Sequence, residues 1–495
     1  MERLSYTAKA LLLGLVVAQA LATAQVYLSD LDLYVNLMVM KGAGYLVVPN
    51  EKIMPCLRDF GPAFCGGLFF TLSVGAGISL LSLASAWIWE RLFFRRKLVL
   101  GFFVLAWLGL VAAANGRGFS LAISSYLLLI PPVVFVAVCR WLPPPPDRPV
   151  WIKRMVHAAS FGILAIVWVY QVNGQLFVDV RDYLLLANPL GRRINNFYYD
   201  YTLYPAEVFK SLDQKLLKTV NMEALRGKPL GQAVEKALLE HDYLPVREES
   251  AVDLRISQQG NDLVFAHQGE TILRTSADKF LAAPGQVLRD FSSETDRYAF
   301  FREFTFLSLV IALPITLYLL LFALLRLGLS FIVDVGTASL AASAICLLVG
   351  IGLLVYFSSM RGQALEANQV AEALQSHRWQ VRVGALKAVD KRGLELGDVE
   401  AYKKLLASPE VAERYWLVRA LGSSRRPEAY NELVRFLDDP QPNVVAMAFY
   451  ALGRRGDPGA VDEIMRRVKM SAHWYSQWYG YKAMRTLGWK QAAST

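Results

Sequence analysis

Apolar residues run in seven stretches, at 9–28, 66–89, 98–114, 121–142, 156–172, 304–326 and 335–357. A helix crossing a hydrocarbon core needs about 20 predominantly apolar residues, because each advances about 1.5 Å across about 30 Å. Between the fifth and sixth stretches, and again after the seventh, charged residues return and the apolar positions recur at shorter periods. This pattern predicts a polytopic α-helical membrane protein of about seven spans. Its parts are a membrane domain at 1–174, a water-exposed domain at 175–303, spans six and seven within 304–357, and a second water-exposed domain at 358–495. Pro131-Pro132, Pro314 and the glycines Gly75, Gly77, Gly350 and Gly352 fall inside spans. They read as kink or close-packing positions, with a transport pathway of broken helices as the alternative.

The middle block changes period twice. Ala233, Val234, Ala237 and Leu238 recur helically, and Val252 to Ile256 and Asp262 to Phe265 then alternate around Gln258-Gln259-Gly260-Asn261, a hairpin pattern. Thr271 to Thr275 forms a third run after Gln268-Gly269. A small α+β domain is expected. His241 and His267 have no second His or Cys at ligand spacing, so no metal is expected.

The tail repeats itself about every 32 residues. Val389, Leu421, Leu452 and Leu487 stand at equivalent helix ends, and Ser376, Ser408-Pro409 and Asp439-Pro440 precede the helices as start signals. Glu400-Ala401-Tyr402, Glu428-Ala429-Tyr430 and Ala460-Val461 open a second helix in each unit. DDPQPNVVAMAFYALGRRGDPGAVDEIMRRV resembles the HEAT-like repeat family, in particular the short bacterial form of phycobilisome-lyase-type proteins, over about 370–490. The resemblance implies an α-solenoid that presents an extended surface to a protein partner. It implies no catalytic residue.

Composition narrows the class. With 55% hydrophobic and 19% charged residues over 495 positions, a single soluble domain is excluded. The formal charge of +10 would suit nucleic acid, but its distribution argues otherwise. The tail holds 21 basic and 15 acidic residues from Ser358 onward, the block 175–303 holds 16 and 19, and short loops carry much of the rest. Arg91, Arg95, Arg96 and Lys97 follow span two, and Arg140, Arg148, Lys153 and Arg154 follow span four. Short basic loops face the cytoplasm, so 175–303 and the repeats are both expected on the outer side, in a bacterium the periplasm of the inner membrane. Ala22-Thr23-Ala24-Gln25, after the first apolar run, fits a signal-peptidase site. Cleavage there would leave six spans.

Candidate chemistry is sparse. Cys56 and Cys65 share the first outer loop and are expected to form a disulfide if that side is oxidising. Cys139 and Cys346 read as inert apolar residues. Asp30 and Asp32 lie at the outer end of span one, and Asp179 and Asp182 follow span five. Acidic residues so placed resemble those of polytopic glycosyltransferases that use lipid-linked sugars, which would make these four a base or metal-binding cluster. The alternative is interfacial acids that keep a loop in water.

Arg192, Arg193, Asn195, Asn196, Tyr198, Tyr199, Tyr201 and Tyr204 form an aromatic and basic cluster. It reads either as a belt seating the domain on lipid or as a recognition surface. Trp474, Tyr475, Trp478 and Tyr479 crowd the last repeat beyond what a cap requires, and suit packing on the previous repeat or docking on membrane or partner. No phosphate loop, GxSxG, HExxH or zinc array occurs, and no cofactor is expected. The sequence thus favours an inner-membrane scaffold or assembly factor with a protein partner and lipid contacts. A membrane enzyme or transporter acting on a lipid-linked substrate is the alternative.

Overall fold

Most of these patterns become helix. The computed structural model describes residues 5–144, 151–247, 252–361, 365–396 and 401–492. Arg148 and Glu400 lie outside the described residues, as do the side chains of Lys153, Arg154 and Ala401. The chain divides into two compact units. One comprises Met1–Tyr27, Ala63–Phe177 and Arg297–Ser359, and the other Leu28–Pro62, Val178–Asp296 and Met360–Thr495.

Among the described residues, six helices are long and apolar enough to cross a membrane: Tyr6–Gly42, Phe60–Arg91, Lys97–Ala114, Leu121–Trp141, Ala299–Leu329 and Val335–Met360. Met155–Gln171 meets the same test only together with Leu176–Leu185, from which it is bent by 103°. In the first unit, small residues let helices approach closely. A Cβ at Gly75 would lie 2.4 Å from that of Ala18, and one at Gly77 would lie 2.3 Å from Ser308 Oγ. Some polar groups in this apolar setting pair with one another, as the apolar surroundings favour. Thr71 Oγ1 donates to Gln19 Oε1 at 2.6 Å, and Gln19 Nε2 donates to the Phe64 carbonyl at 2.9 Å.

Two expectations for the first outer segment are corrected. The first helix does not end at 28 but continues to Gly42, so Ala22 to Gln25 and Ser29 to Asp32 are helical. No glycine or proline interrupts 15–41, and Leu37 and Met40 are buried at helical spacing. Cys56 and Cys65 are free cysteines here. The segment is not an open turn: Cys56 lies in a 3-10 helix, Met54–Arg58, and Cys65 lies on the helix that starts at Phe60.

In the second unit, residues 218–276 form a five-stranded sheet of order β2-β1-β3-β4-β5, with β1 Lys218–Asn221, β2 Tyr243–Pro245, β3 Leu254–Gln259, β4 Asp262–His267 and β5 Glu270–Ser276. The helix Pro229–Glu240 connects β1 to its parallel neighbour β2, while β3 to β5 run antiparallel. Gln268 and Gly269, both at positive φ, make the two-residue turn that suits hairpin twist. The core gathers Val220, Val234, Leu238, Leu254, Phe265, Phe280 and Phe291. β1 and β2 are short, and β1 is buried throughout, so neither shows the alternation that marks the hairpin strands.

One buried charge ties the start of β1 to the approach to β3. Asp253 accepts from Lys215 Nζ at 2.7 Å and from the Thr219 N–H at 2.9 Å. Burial opposes its ionisation, but Lys215 and Thr219 outweigh it and hold the carboxyl below the usual range. A carboxyl lowered by folding contributes stability above its unfolded pKa of about 4 and loses it as pH falls through the lower folded value. Asp253→Asn is therefore expected to cost about 1–2 kcal/mol at neutral pH and to flatten the acid limb below about pH 4. Thermal melting at stepped pH reads both.

The repeat region stacks the helices Trp379–Arg392, Val411–Leu421, Pro442–Arg455 and Trp474–Thr486, each on the next. Ala401–Leu405, Pro427–Phe436 and Ala460–Met470 are the second helices. The helix starts fall two residues later than the Ser and Asp signals suggest. Ser376, Ser408 and Asp439 accept from the N–H two residues on, at Arg378, Glu410 and Gln441, so they form turns that lead into N-caps. One ladder recurs at the repeat spacing. Arg382 Nη1 donates to the Ser376 carbonyl and its Nε to Glu413, and Arg414 does the same with the Ser408 carbonyl and Asp439.

Candidate functional site

The chain leaving Leu176 makes one short α-turn and then a π-turn at Val180–Leu185. This widened spacing accompanies the burial of Asp179, Asp182 and Tyr183. Asp182 is wholly buried and serves three partners. Arg181 donates to Oδ1 from Nε at 2.9 Å and Nη2 at 2.7 Å, while Oδ2 accepts from Trp416 Nε1 at 2.7 Å and lies 3.0 Å from Lys387 Nζ. Asp179 lies 2.9 Å from Arg361 Nε and 3.4 Å from Lys387 Nζ.

Aromatic rings wall this cluster. The Lys387 ammonium sits 4.7 Å from the Tyr183 ring centroid and 5.1 Å from that of Trp416, the Arg181 guanidinium lies 3.8 Å over Tyr415, and Tyr183 stacks on Trp379 at 5.9 Å. Burial alone would lower the Lys387 pKa, but Asp182, Tyr183 and Asp179 outweigh it and raise it. The lysine is therefore a fixed cation. Two carboxylates and three cations thus share one buried cluster that ties 179–182 to the repeats.

A helix of thirteen residues, Pro189–Tyr201, follows. Asn188 caps it, accepting from the Gly191 N–H at 2.8 Å, and Gly191, Asn195 and Tyr199 form its buried face. A Cβ at Gly191 would stand 2.3 Å from the Leu185 carbonyl oxygen, so only glycine fits that approach. The buried face meets the last repeat. Tyr199 packs edge-on against Tyr475 with centroids 4.6 Å apart, Tyr204 does so against Trp474 at 5.1 Å, and His473 Nε2 lies 3.1 Å from Asp200. Burial pushes the Tyr199 phenol up to about 12, so it stays protonated across the physiological range.

The two aromatic clusters predicted separately are thus partners of one another. Tyr199, Tyr204, Trp474 and Tyr475 meet directly, and Tyr479 backs Tyr475 at 5.1 Å. Trp478 packs edge-on against Tyr479 and takes Lys482 over its ring at 3.8 Å. Asn195 is buried, whereas Arg193 and Tyr198 remain exposed and Arg192, Asn196 and Tyr201 are half-buried. Asp30 is buried with its Oδ1 unpartnered and Asp32 is exposed. Among the described residues no group of His, Cys, Asp and Glu is arranged to hold a metal.

Other residues of this surface carry no local sequence signal. Asn50 donates from Nδ2 to the Val468 and Ser471 carbonyls at 3.0 Å, and its N–H donates to Gln477 Oε1 at 2.9 Å. Gln491 exchanges hydrogen bonds with the Leu46 backbone. Arg485 reaches the Leu239 and Glu240 carbonyls and lies 3.0 Å from Asp242. The only hint in sequence is negative, a last repeat too apolar for an exposed end.

Residues 399–478 match the family model for HEAT repeats, so this segment is a HEAT-repeat region. No curated protein and no solved structure matches the chain.

Proposed function

We propose that this chain is a scaffold or assembly factor of a bacterial inner membrane, anchored by its apolar helices and binding a protein or envelope partner through an α-solenoid of HEAT repeats. HEAT repeats generally mediate protein interaction, and the six apolar helices supply an anchor by length and composition. The basic loops after Arg91 and Arg140 favour an outer, periplasmic position for both 175–303 and the repeats.

The observation that carries the reading is how the first-helix side of the repeats is used. Lys387, Trp416 and Tyr475 on that side are occupied by 179–204 of the same chain. The second helices carry exposed Lys403, Lys404, Glu428, Asn431, Arg435, Asp462, Arg466 and Lys469. A mixed, mainly basic surface of this kind suits a partner that presents acidic side chains, through rim contacts that set recognition and encounter rate.

The test is in-cell crosslinking from photoreactive residues at Asn431 and Asp462. Lys404→Glu with Arg435→Glu is expected to reduce the crosslinked product about tenfold, with the protein's level and melting temperature unchanged. Undiminished crosslinking would count against the surface. Loss of function on Asp30→Asn with crosslinking intact would favour the enzyme or transporter reading instead.

A further inference from the structure

In two helices of the first unit proline stands in the interior, and both are mended in the same way. Pro131 and Pro132 lie inside Leu121–Trp141, and Pro314 follows the π-turn Ser308–Ala312 within Ala299–Leu329. Proline has no N–H, so the carbonyl four residues before it loses its helical donor. For Pro131 and Pro314 these carbonyls belong to Leu127 and Val310. An indole from another helix fills each: Trp107 Nε1 donates to the Leu127 carbonyl at 2.8 Å, and Trp168 Nε1 to the Val310 carbonyl at 2.9 Å.

At Pro314 the neighbouring helix also bridges the break. Trp168 stands on Trp151–Gln171 in one row with His157, Phe161 and Leu164, at spacings of four, three and four that share a helix face. Trp168 holds the half of Ala299–Leu329 before the proline. Phe161 packs on Tyr318 at 5.2 Å and His157 Nδ1 lies 3.3 Å from the Tyr318 hydroxyl, so both hold the half after it. Leu164 seats the same row on Gly350 of Val335–Met360, where a Cβ would stand 2.6 Å from its Cδ2.

We infer that Pro314 is a hinge in the helix Ala299–Leu329 and that the Trp168 row is the splint that holds it closed. In apolar surroundings no water replaces a lost donor, so the closed hinge is the state in which the indole is bound, and it loosens when the indole leaves. The Trp107–Leu127 bond at Pro131 repeats the device on a second pair of helices. The hinge gives the apolar unit a change of shape of its own, whatever the repeats bind, and it rests on contacts within that unit alone.

Distances between paired spin labels in the full-length protein, reconstituted in lipid nanodiscs, test this. Labels at Glu303→Cys and Gly328→Cys, with the four native cysteines replaced, flank Pro314 and report its angle as a distance and a spread. Trp168→Phe keeps a ring and removes the donor, and is expected to widen the distance distribution about twofold. Pro314→Ala returns an N–H to Val310 and should narrow it, and Trp168→Phe added to Pro314→Ala should then widen nothing, a non-additivity that a merely packed ring does not produce. A Trp168→Phe distribution as narrow as the parent's overturns the splint. Equal widening with proline and with alanine at 314 overturns the coupling between indole and hinge. A single label at Leu105→Cys, on the helix Lys97–Ala114, tests the anchor separately: access to a water-soluble nickel chelate in place of oxygen there defeats the membrane-anchored reading, while the comparison at 314 still decides the hinge.

Discussion

Asp182→Ala is expected to destabilise the second unit by about 3–5 kcal/mol, the size seen when one partner of a buried ion pair is removed. The side chain is fully buried and its two oxygens serve Arg181, Lys387 and Trp416. Without it, Arg181, 13% exposed at its side chain, loses its carboxylate and is left with the ring face of Tyr415 and the Tyr199 hydroxyl, and the Trp416 indole N–H loses its acceptor. Lys387 keeps Asp179 at 3.4 Å, so the loss is less than complete. Asp182→Asn is no rescue, because its amide turns a donor towards one of the two cations or towards the indole. The measurement is thermal unfolding of the purified full-length protein, paired with hydrogen exchange. Exchange should quicken in 178–201 and 379–421 and stay unchanged in β3 to β5. A loss below about 1 kcal/mol would reduce the cluster to a surface ion pair.

What could be read from the sequence follows from the range of the interactions concerned. The helices and the β3–β4 hairpin arise from periods of 3.6 and 2, which are local, and the HEAT register shows because the same contact recurs at Leu421 and Leu452. The helix starts were displaced by two residues for a local reason too: Ser408 and Asp439 bond the N–H two positions on, a choice that residue type alone does not reveal. The candidate site was visible as residues and invisible as pairs. Asp182 and Trp416 are 234 positions apart and Asp200 and His473 are 273 apart, and no periodicity links such positions. Tyr199 and Tyr475 looked like two open surfaces because each patch shows only its own half. Asn50 and Lys387 are single residues inside unremarkable segments, and their roles appear only once the repeats are folded against them.

The last helix of the repeats explains its own composition, and Arg485 is where that explanation is most exposed to test. Trp474 and Tyr475 take Tyr204 and Tyr199, Gln477 takes Asn50, and Tyr481 donates to Asp242. Three separate segments thus converge on thirteen residues, so an outer face as polar as that of an ordinary terminal repeat would leave them unpartnered. Arg485 completes the set. It donates to the Leu239 and Glu240 carbonyls at 3.1 and 2.7 Å, at the end of the helix Pro229–Glu240 where the dipole is negative. It also lies 3.0 Å from Asp242, whose φ of 59° makes the turn into β2. Arg485→Ala is expected to cost about 2–3 kcal/mol, two charge-assisted hydrogen bonds and an ion pair discounted for partial exposure. Arg485→Lys should recover less than half of that, because an ammonium cannot span both carbonyls and the carboxylate as the planar fork does. Hydrogen exchange locates the effect: the N–H of Val246, bonded to Val220 in β1, should lose protection together with 474–486, while β4 and β5 keep theirs. If 474–486 loosens and β2 does not, the arginine only fastens its own helix, and the middle domain stands without support from the repeats.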